Sequence, residues 1–325
     1  MAEIILRDAI AKGLREALDQ DERVFLMGED IGAYGGAYAV TRGFLEEYGE
    51  ERIRDTPISE SVFVGAGTGA AMIGMKPIVE LMTINFSLVA IDQIVNHAAK
   101  LSYMSNGQFK VPLIIRTVTG GGAQLAATHS QSFENWYASV PGLRVAVPAT
   151  PYDALGLFRT SRKDNNPVIF AEHSLLYRVK GDVPEEYYEI PFGKARIALE
   201  GQDVTLIAYS GMVRVAEEAA AKLSEKDISA EVIDLRTLSP LDLDTVLKSV
   251  QKTNRAVVIE ETWKTGGFSG TIASNIQEAA FDDLDGPVLR INGPDIPAPY
   301  ARNIEEATIP NAEWIVESVT YNFGL

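Results

Sequence analysis

Apolar residues recur along the chain with two spacings, one typical of helices and one typical of buried strands. From Arg7 to Asp21 they repeat at the interval of a helical face, which predicts an amphipathic helix. The run VFLMGED (24–30) is short and apolar, and it predicts a buried strand that leads into a glycine-rich loop. Further strand-like runs lie at 78–82, 111–118, 144–149 and 168–173, and helical patterns lie at 90–104 and about 151–163.

The second half of the chain repeats this alternation more regularly. Its strand-like runs lie at 203–210, 231–236, 256–261 and 288–293, with helices near 213–224, 241–252 and 270–281 between them. Apolar strands that alternate with helices predict parallel sheets covered by helices on both faces. We therefore expect an α/β fold with two doubly wound domains.

The polar, acidic and proline-bracketed segment KGDVPEEYYEIP (180–191) separates the two halves. We interpret it as the connection between domains. The predicted organisation is a first domain at 1–180, a linker at 181–194 and a second domain at 195–325.

One glycine-rich run, VFVGAGTGAA (62–71), fits the dinucleotide-binding pattern G-x-G-x-x-G/A by letter. That pattern requires a strand before the first glycine and a helix after it. Here Ser59 is a candidate cap and Glu60 suits a first helical turn, which predicts a helix from about Glu60 to Gly74. Gly65 and Gly69 would then form a face for close packing of a neighbouring backbone. A dinucleotide-binding oxidoreductase stays open as the alternative.

Glu60 precedes the apolar residues Val62, Phe63 and Val64. A carboxyl group in such surroundings is poorly solvated, so a proton is expected to reside there near neutral pH. The competing interpretation is an ordinary glutamate at the exposed start of a surface helix.

Composition and charge narrow the class of protein. Of 325 residues, 46% are hydrophobic and 23% are charged, and the net charge is −16. The negative charge argues against binding to nucleic acid or to an anionic membrane. Since there is no cysteine, thiolate metal sites and cysteine nucleophiles are excluded, and the histidines His97, His129 and His173 lack metal-ligand spacing. The first segment is acidic, which disfavours a targeting peptide. The longest apolar run, 61–75, is too short for a membrane span. We therefore expect a cytoplasmic location.

The segment DTPISE, followed by ELMTINFSLVAIDQIVNHAAK, resembles the beta subunits of thiamine-diphosphate-dependent 2-oxo acid dehydrogenases of the pyruvate dehydrogenase type, a transketolase-like family. The resemblance runs almost end to end through RDAI, VFLMGED, ATHSQSFENWYASVPGLRV, DNNPVIF, EVIDLRTLSPLD and ETWKTGGF. It implies a pyrimidine-binding domain followed by a transketolase C-terminal-like domain.

The implied activity is the oxidative decarboxylation of pyruvate and the reductive acetylation of lipoyl groups. An acetoin or branched-chain 2-oxo acid dehydrogenase beta subunit is the nearest alternative, although MTINF (82–86) is more similar to the pyruvate type. A non-catalytic scaffolding subunit is a third possibility.

The resemblance also implies roles for individual residues. Glu60 would hydrogen-bond the aminopyrimidine ring of thiamine diphosphate and so help the cofactor to attack the 2-oxo carbonyl. Phe86 would pack on that ring and Met82 would line the same pocket. Glu29 would lie near the cofactor and link two active sites by proton transfer. His129, in THSQ, would assist acyl transfer to the lipoyl group.

The chain lacks the GDG sequence with which thiamine enzymes begin their diphosphate motif. The family resemblance therefore implies that an alpha subunit holds Mg²⁺ and the diphosphate, within a heterotetramer of two alpha and two beta chains. It also implies that the C-terminal domain docks the acyltransferase core, whose lipoyl domain is acetylated, and the negative charge suits a basic partner. A potassium ion would be held, largely by carbonyl oxygens, at Leu113, Ser161, Arg162, Asp164 and Asn166.

Overall fold

The computed structural model describes all residues, Met1–Leu325, and they divide into two compact units. The first unit contains residues 1–119 and 136–192, and the second contains 120–135 and 193–325. The strands are β1 Ala2–Ile5, β2 Val24–Gly28, β3 Ile53–Asp55, β4 Lys76–Leu81, β5 Ile114–Thr119, β6 Arg144–Ala146, β7 Val168–His173, β8 Lys180–Val183, β9 Arg196–Leu199, β10 Val204–Ala208, β11 Ala230–Asp234, β12 Thr237–Ser239, β13 Ala256–Trp263 and β14 Leu289–Gly293.

The helices follow the predicted alternation with these strands. The α-helices are α1 Leu6–Gln20, α2 Phe44–Tyr48, α3 Glu60–Met72, α4 Ala99–Met104, α5 Glu134–Ala138, α6 Pro151–Ser161, α7 Met212–Ser224, α8 Leu243–Thr253, α9 Phe268–Ala280, α10 Arg302–Glu306 and α11 Ala312–Phe323. A π-helix spans Gln93–Ala98, and short 3-10 helices span Ile84–Leu88, Ser174–Leu176 and Phe281–Asp283. None of the helices combines the length and the apolar character needed to cross a membrane.

The first unit is built on a parallel sheet in the order β6-β7-β5-β4-β2-β3. Gly28 of β2 pairs with Glu80 of β4, so these neighbouring strands end at the same edge. On one side of the sheet α1 packs closely against α6. A Cβ atom on Gly13 would lie only 2.8 Å from the Phe158 ring, so glycine is required at this crossing.

The second unit has a five-stranded sheet in the order β14-β13-β10-β11-β9. Its strands are parallel except for β9, which pairs antiparallel to β11 at one edge. Its helix α11, which packs near α7, and its edge strand β9 are absent from the sequence-based prediction. The prediction of two α/β units with largely parallel sheets is confirmed.

The helix α3 begins at Glu60 as predicted, but its details differ. Ser59 does not cap it, because the Ser59 hydroxyl donates to the Pro57 carbonyl at 3.1 Å. Within the chain, the predicted packing face is occupied at one glycine only: a Cβ on Gly65 would lie 3.0 Å from the side-chain oxygen of Gln93, and nothing lies within 4 Å of a Cβ placed on Gly69. The close approach is at Gly67, where a Cβ would lie 2.7 Å from a methyl group of the β4 residue Val79. Because these glycines lie inside a helix, the dinucleotide-binding loop is excluded.

The segment interpreted as a linker is structured. Its first residues form β8, which pairs antiparallel with β1 at the start of the chain. Further on, the Tyr188 ring stacks on Tyr152 with centroids 4.4 Å apart, and Ile190 is buried in the core of the first unit. The polar composition that suggested a linker belongs to an edge strand and a surface turn. The domain boundaries drawn from the sequence stay predictions.

Candidate functional site

Three predicted site residues lie at one edge of the first unit's sheet. Glu29 directly follows β2, and Met82 directly follows the neighbouring strand β4. Glu60 begins α3, whose approach is fixed by a hydrogen bond from the Thr56 amide to the Gly28 carbonyl at 2.9 Å. The carboxyl ends of parallel strands are where α/β sheets bind ligands, so the fold brings these side chains to a suitable place.

The carboxyl groups of Glu29 and Glu60 form a buried pair, with 7% and 5% of the residues exposed. Burial raises the pKa of Glu29 to about 7, and the charge of Glu60 and a hydrogen bond between the two carboxyls add to this rise. The Ser59 backbone N–H acts in the opposite direction. At neutral pH Glu29 is therefore poised between its neutral and charged forms.

One oxygen of this pair has no hydrogen-bond partner. Oε1 of Glu29 is buried without a donor or acceptor, which is unusual for a carboxyl group in a folded protein. From the sequence, a proton is expected on Glu60, and Glu29 has a separate role implied by the resemblance. The structure brings the two together and assigns the raised pKa to Glu29.

Phe86 is carried by the 3-10 helix that follows β4. Thr83 caps this helix, because its hydroxyl accepts the Asn85 amide N–H at 3.0 Å. Tyr137 donates to the Ser87 hydroxyl at 2.5 Å and holds the same turn from the other side. Phe86 and Met82 are both partly buried. They provide aromatic and apolar surface close in sequence to the strand end.

The residues predicted for potassium lie where α6 ends and β5 begins. The carbonyl oxygens of Leu113 and Ser161 each accept one backbone N–H, at 2.9 Å from Val168 and 3.2 Å from Asp164. Each carbonyl keeps a second lone pair. Nowhere in the chain do three or more His, Cys, Asp or Glu side chains group in a way that could hold a metal. A cation here would have to rely on carbonyl oxygens.

The remaining side chains of this loop are already engaged. One oxygen of Asp164 accepts the Asn166 amide N–H at 2.8 Å, and the other lies 3.3 Å from the Arg144 guanidinium. The guanidinium of Arg162 donates to the Glu16 carbonyl at 3.4 Å and to the Tyr187 hydroxyl at 3.3 Å. The Arg162 side chain is therefore bound to other groups, and only the backbone of Arg162 is available to a cation.

His129 lies in the second unit, on a segment that runs from Gly120 to Asn135. Its ring is exposed, and Nδ1 lies 2.9 Å from the Thr128 hydroxyl. Two carboxylates bind the backbone of this segment. Glu261 accepts the Gly121 N–H at 2.5 Å, and Glu305 accepts two further backbone N–H groups.

Neither of these carboxylates is among the site residues predicted from the sequence. Glu261 lies at the end of the apolar run AVVIEE. A charged residue at such a position could have been singled out from the sequence as a candidate site residue. Glu305 lies in a short helix with no pattern that distinguishes it from its neighbour Glu306.

A buried charged network was also missed. Arg116 on β5 donates from Nε and Nη2 to both oxygens of Glu172 at 2.6 and 2.8 Å, and from Nη1 to Glu80. Tyr177 donates to Glu172 at 2.7 Å. Burial raises the pKa of Glu80, Arg116 opposes the rise and Glu172 adds to it. The sequence did offer a signal for this network, because Glu80, Arg116 and Glu172 are charged residues inside the apolar runs IVEL, IIRTV and VIFAEH.

Comparison with known proteins assigns both halves of the chain to one class. The transketolase pyrimidine-binding domain family matches residues 2–180, and the transketolase C-terminal domain family matches residues 193–315. A solved split-gene transketolase, described as an inactive beta4 tetramer, has a TM-score of 0.81 at 22% identity and covers 99% of each chain. The chain therefore has the fold of a transketolase-like protein.

Relatives at higher identity narrow the class. The pyruvate dehydrogenase E1 component subunit beta of Rickettsia felis is 46% identical over 317 residues, which cover 98% of this chain and 97% of that protein. The mitochondrial subunit beta-1 of the same component from Arabidopsis thaliana is 48% identical over 320 residues, which cover 97% of this chain and 88% of that protein. The chain belongs to the family of pyruvate dehydrogenase E1 component beta subunits.

Proposed function

We propose that this chain supplies the pyrimidine-binding half of a thiamine diphosphate site. Together with an alpha subunit it would catalyse the oxidative decarboxylation of pyruvate and the reductive acetylation of lipoyl groups. The observation that carries the proposal is the buried Glu29–Glu60 pair at the sheet edge, with Oε1 of Glu29 lacking a partner. Membership of the pyruvate dehydrogenase beta family supports it.

The residues at this edge fit an aminopyrimidine ring. A pair of buried carboxyls in which one oxygen, Oε1 of Glu29, has no partner suits a ring that carries donor groups, and partly buried Phe86 and Met82 suit its apolar faces. When bound, thiamine diphosphate supplies the electron sink for the electrons released as carbon dioxide leaves.

The chain's own contribution is to hold and move a proton. Glu60 would bind the pyrimidine nitrogen, fixed in place by the first turn of α3. Glu29 shares a hydrogen bond with Glu60, and its pKa of about 7 allows it to take up or release a proton with little cost at neutral pH. We propose that Glu29 passes protons to and from Glu60, and that this route also links two active sites in the assembled enzyme.

An alpha subunit is required for a complete site. The absence of GDG leaves the diphosphate and Mg²⁺ to the alpha chain. The α3 region also exposes large apolar side chains, with Ile58, Val62 and Ile73 exposed by 85%, 70% and 83%. Exposed apolar surface of this kind marks a protein interface. We propose an assembly of two alpha and two beta chains, in which the isolated beta chain is inactive.

Two further proposals concern an ion and a partner. Potassium would be held by carbonyl oxygens in the loop of Leu113, Ser161, Arg162, Asp164 and Asn166, where two carbonyls keep a free lone pair.

The acyltransferase core would dock on the C-terminal unit, and the net charge of −16 supports a basic docking partner. We propose that His129 then assists acyl transfer to the lipoyl group. The cytoplasmic location stays a prediction.

Binding measurements test the proposal. The chain is titrated with thiamine diphosphate and Mg²⁺, alone and with a cognate alpha subunit, and separately with NADH. We expect tight cofactor binding only in the assembled complex. Tight NADH binding by the lone chain would refute the proposal. Turnover of pyruvate, acetoin and branched-chain 2-oxo acids by the complex then decides among the dehydrogenase types.

Replacement of the proposed pyrimidine ligand gives a second test. Glu60→Gln should leave the heterotetramer assembled but lower decarboxylation by about two orders of magnitude or more, because a general acid–base group contributes about that much. Assembly is measured by size-exclusion chromatography and decarboxylation by release of carbon dioxide. Full activity in an assembled complex would remove Glu60 from this role.

A further inference from the structure

We propose that Glu305, assisted by Glu261, is a positioning residue for His129. The inference rests on the proposed role of His129 in acyl transfer. It concerns the way in which the second unit fixes the backbone of the 120–135 segment, and it assigns a function to a carboxylate that is distant from His129 in the sequence.

Glu305 is buried, with only 2% of the residue exposed, and both of its oxygens bind this segment. Oε1 accepts the Gly122 N–H at 3.0 Å, and Oε2 accepts the Gln124 N–H at 2.9 Å. Glu261 accepts the preceding Gly121 N–H at 2.5 Å. Three backbone N–H groups within four residues thus point at two carboxylates, an arrangement in which charge-assisted hydrogen bonds are strong.

The segment needs such support because its backbone is strained. Gln124 and Ala126 adopt left-handed φ values of 58° and 65°, which residues with a side chain rarely adopt. His129 lies one turn further along the segment, and its own N–H donates to the Ala126 carbonyl at 3.1 Å. The position of the imidazole therefore depends on a conformation that the segment would not keep without its acceptors.

The far end of the segment is tied to the same unit. Asn135 donates from its side chain to the Gly266 carbonyl at 3.0 Å, and the Phe133 ring meets the Trp263 ring edge-on with centroids 5.8 Å apart. His129 lies between these two anchors and is itself exposed. An exposed side chain on a backbone fixed at both ends suits a group that must meet a large incoming substrate such as a lipoyl domain.

The test uses the assembled alpha–beta complex and measures two reactions. Decarboxylation of pyruvate is followed with an artificial electron acceptor, and acetyl transfer is followed with a free lipoyl domain. Glu305→Gln should lower acetyl transfer by about tenfold or more and change decarboxylation by no more than about twofold, since a small misplacement of a reacting group is costly. The control Glu306→Gln alters an exposed neighbour that pairs only with Arg302, and both reactions should be unchanged.

A double variant shows whether Glu305 acts through His129. If it does, His129→Ala with Glu305→Gln should transfer acetyl groups no more slowly than His129→Ala alone. Hydrogen exchange in peptides covering 119–131 should become faster in Glu305→Gln and stay unchanged in Glu306→Gln. Equal loss of both reactions in Glu305→Gln, or additive losses in the double variant, would overturn the inference.

Failure of the inference can be told from failure of the proposed function. If His129→Ala leaves acetyl transfer intact, the proposed role of His129 is wrong and the inference falls with it. If His129→Ala lowers transfer but Glu305→Gln does not, the inference alone is wrong. If Glu305→Gln does not assemble, Glu261→Ala, which removes the acceptor of the Gly121 N–H, must show the same selective loss of transfer, and any other result overturns the inference.

Discussion

The buried pair of carboxyl groups should leave a measurable pH signature in the stability of the chain. Glu29 has a pKa of about 7 in the folded protein against an ordinary value of 4.5. Since one pKa unit corresponds to about 1.4 kcal/mol, the folded state disfavours ionised Glu29 by about 3 kcal/mol. The sign follows from proton binding: between the two pKa values the folded chain holds a proton that the unfolded chain has lost. Stability therefore falls as pH rises from 4.5 towards 7.

Glu29→Gln removes this titration and tests the argument. At pH 4.5 and below, the variant and the parent chain should differ little in this contribution. Above pH 7 the variant should gain up to about 3 kcal/mol in the free energy of unfolding relative to the parent chain. The assay is urea unfolding of the chain at a series of pH values from 4 to 8, followed by circular dichroism.

Two comparisons make the result decisive. Glu60→Gln removes a neighbouring charge that raises the pKa of Glu29, so the parent chain's fall in stability with pH should become shallower. Glu50→Gln, at an exposed site, should leave the pH dependence unchanged. If the stability difference between Glu29→Gln and the parent chain is the same at every pH, the two carboxyls are not a coupled buried pair and the reasoning is refuted.

Two further predictions concern the packing of the first unit. Gly67→Ala should destabilise the chain by about 1–3 kcal/mol in denaturant unfolding, because the added Cβ would meet the buried Val79. The matched change Gly69→Ala meets nothing and should stabilise the helix by up to about 1 kcal/mol; equal effects at both positions would contradict the packing. Arg116→Met should cost about 3–5 kcal/mol because Glu172 is left buried without its counter-charge, and a loss below about 1 kcal/mol would show that the network is not structurally required.

The sequence predicted the parts of the structure that depend on local pattern. The start of α3 at Glu60 was predictable because a charged first turn precedes a long apolar helix. The identity of the most closely packed glycine was not predictable from the sequence. Gly67 rather than Gly65 faces β4, and this depends on how the helix is rotated against the sheet. The antiparallel edge strand β9 was missed because short edge strands carry little apolar pattern.

The candidate site was also predictable from the sequence only in part. Glu29 and Glu60 lie at strand and helix ends that the pattern located, and the resemblance supplied the roles proposed for them. Their mutual hydrogen bond was unpredictable, because it requires knowing that β2 and α3 converge. Glu305 is the clearest omission. Nothing in the sequence marks it, since its importance comes from backbone groups more than 180 residues away.

The assignment of residues 120–135 to the second unit has a practical consequence for dividing the protein. A single cut near residue 192 does not release two complete units, because it leaves this segment on the N-terminal fragment. The C-terminal fragment would then carry Glu305 with two empty acceptors where the parent chain has backbone N–H groups. Simple truncation is therefore not enough to express the C-terminal unit alone. Residues 120–135 must be fused through a linker to residues 193–325.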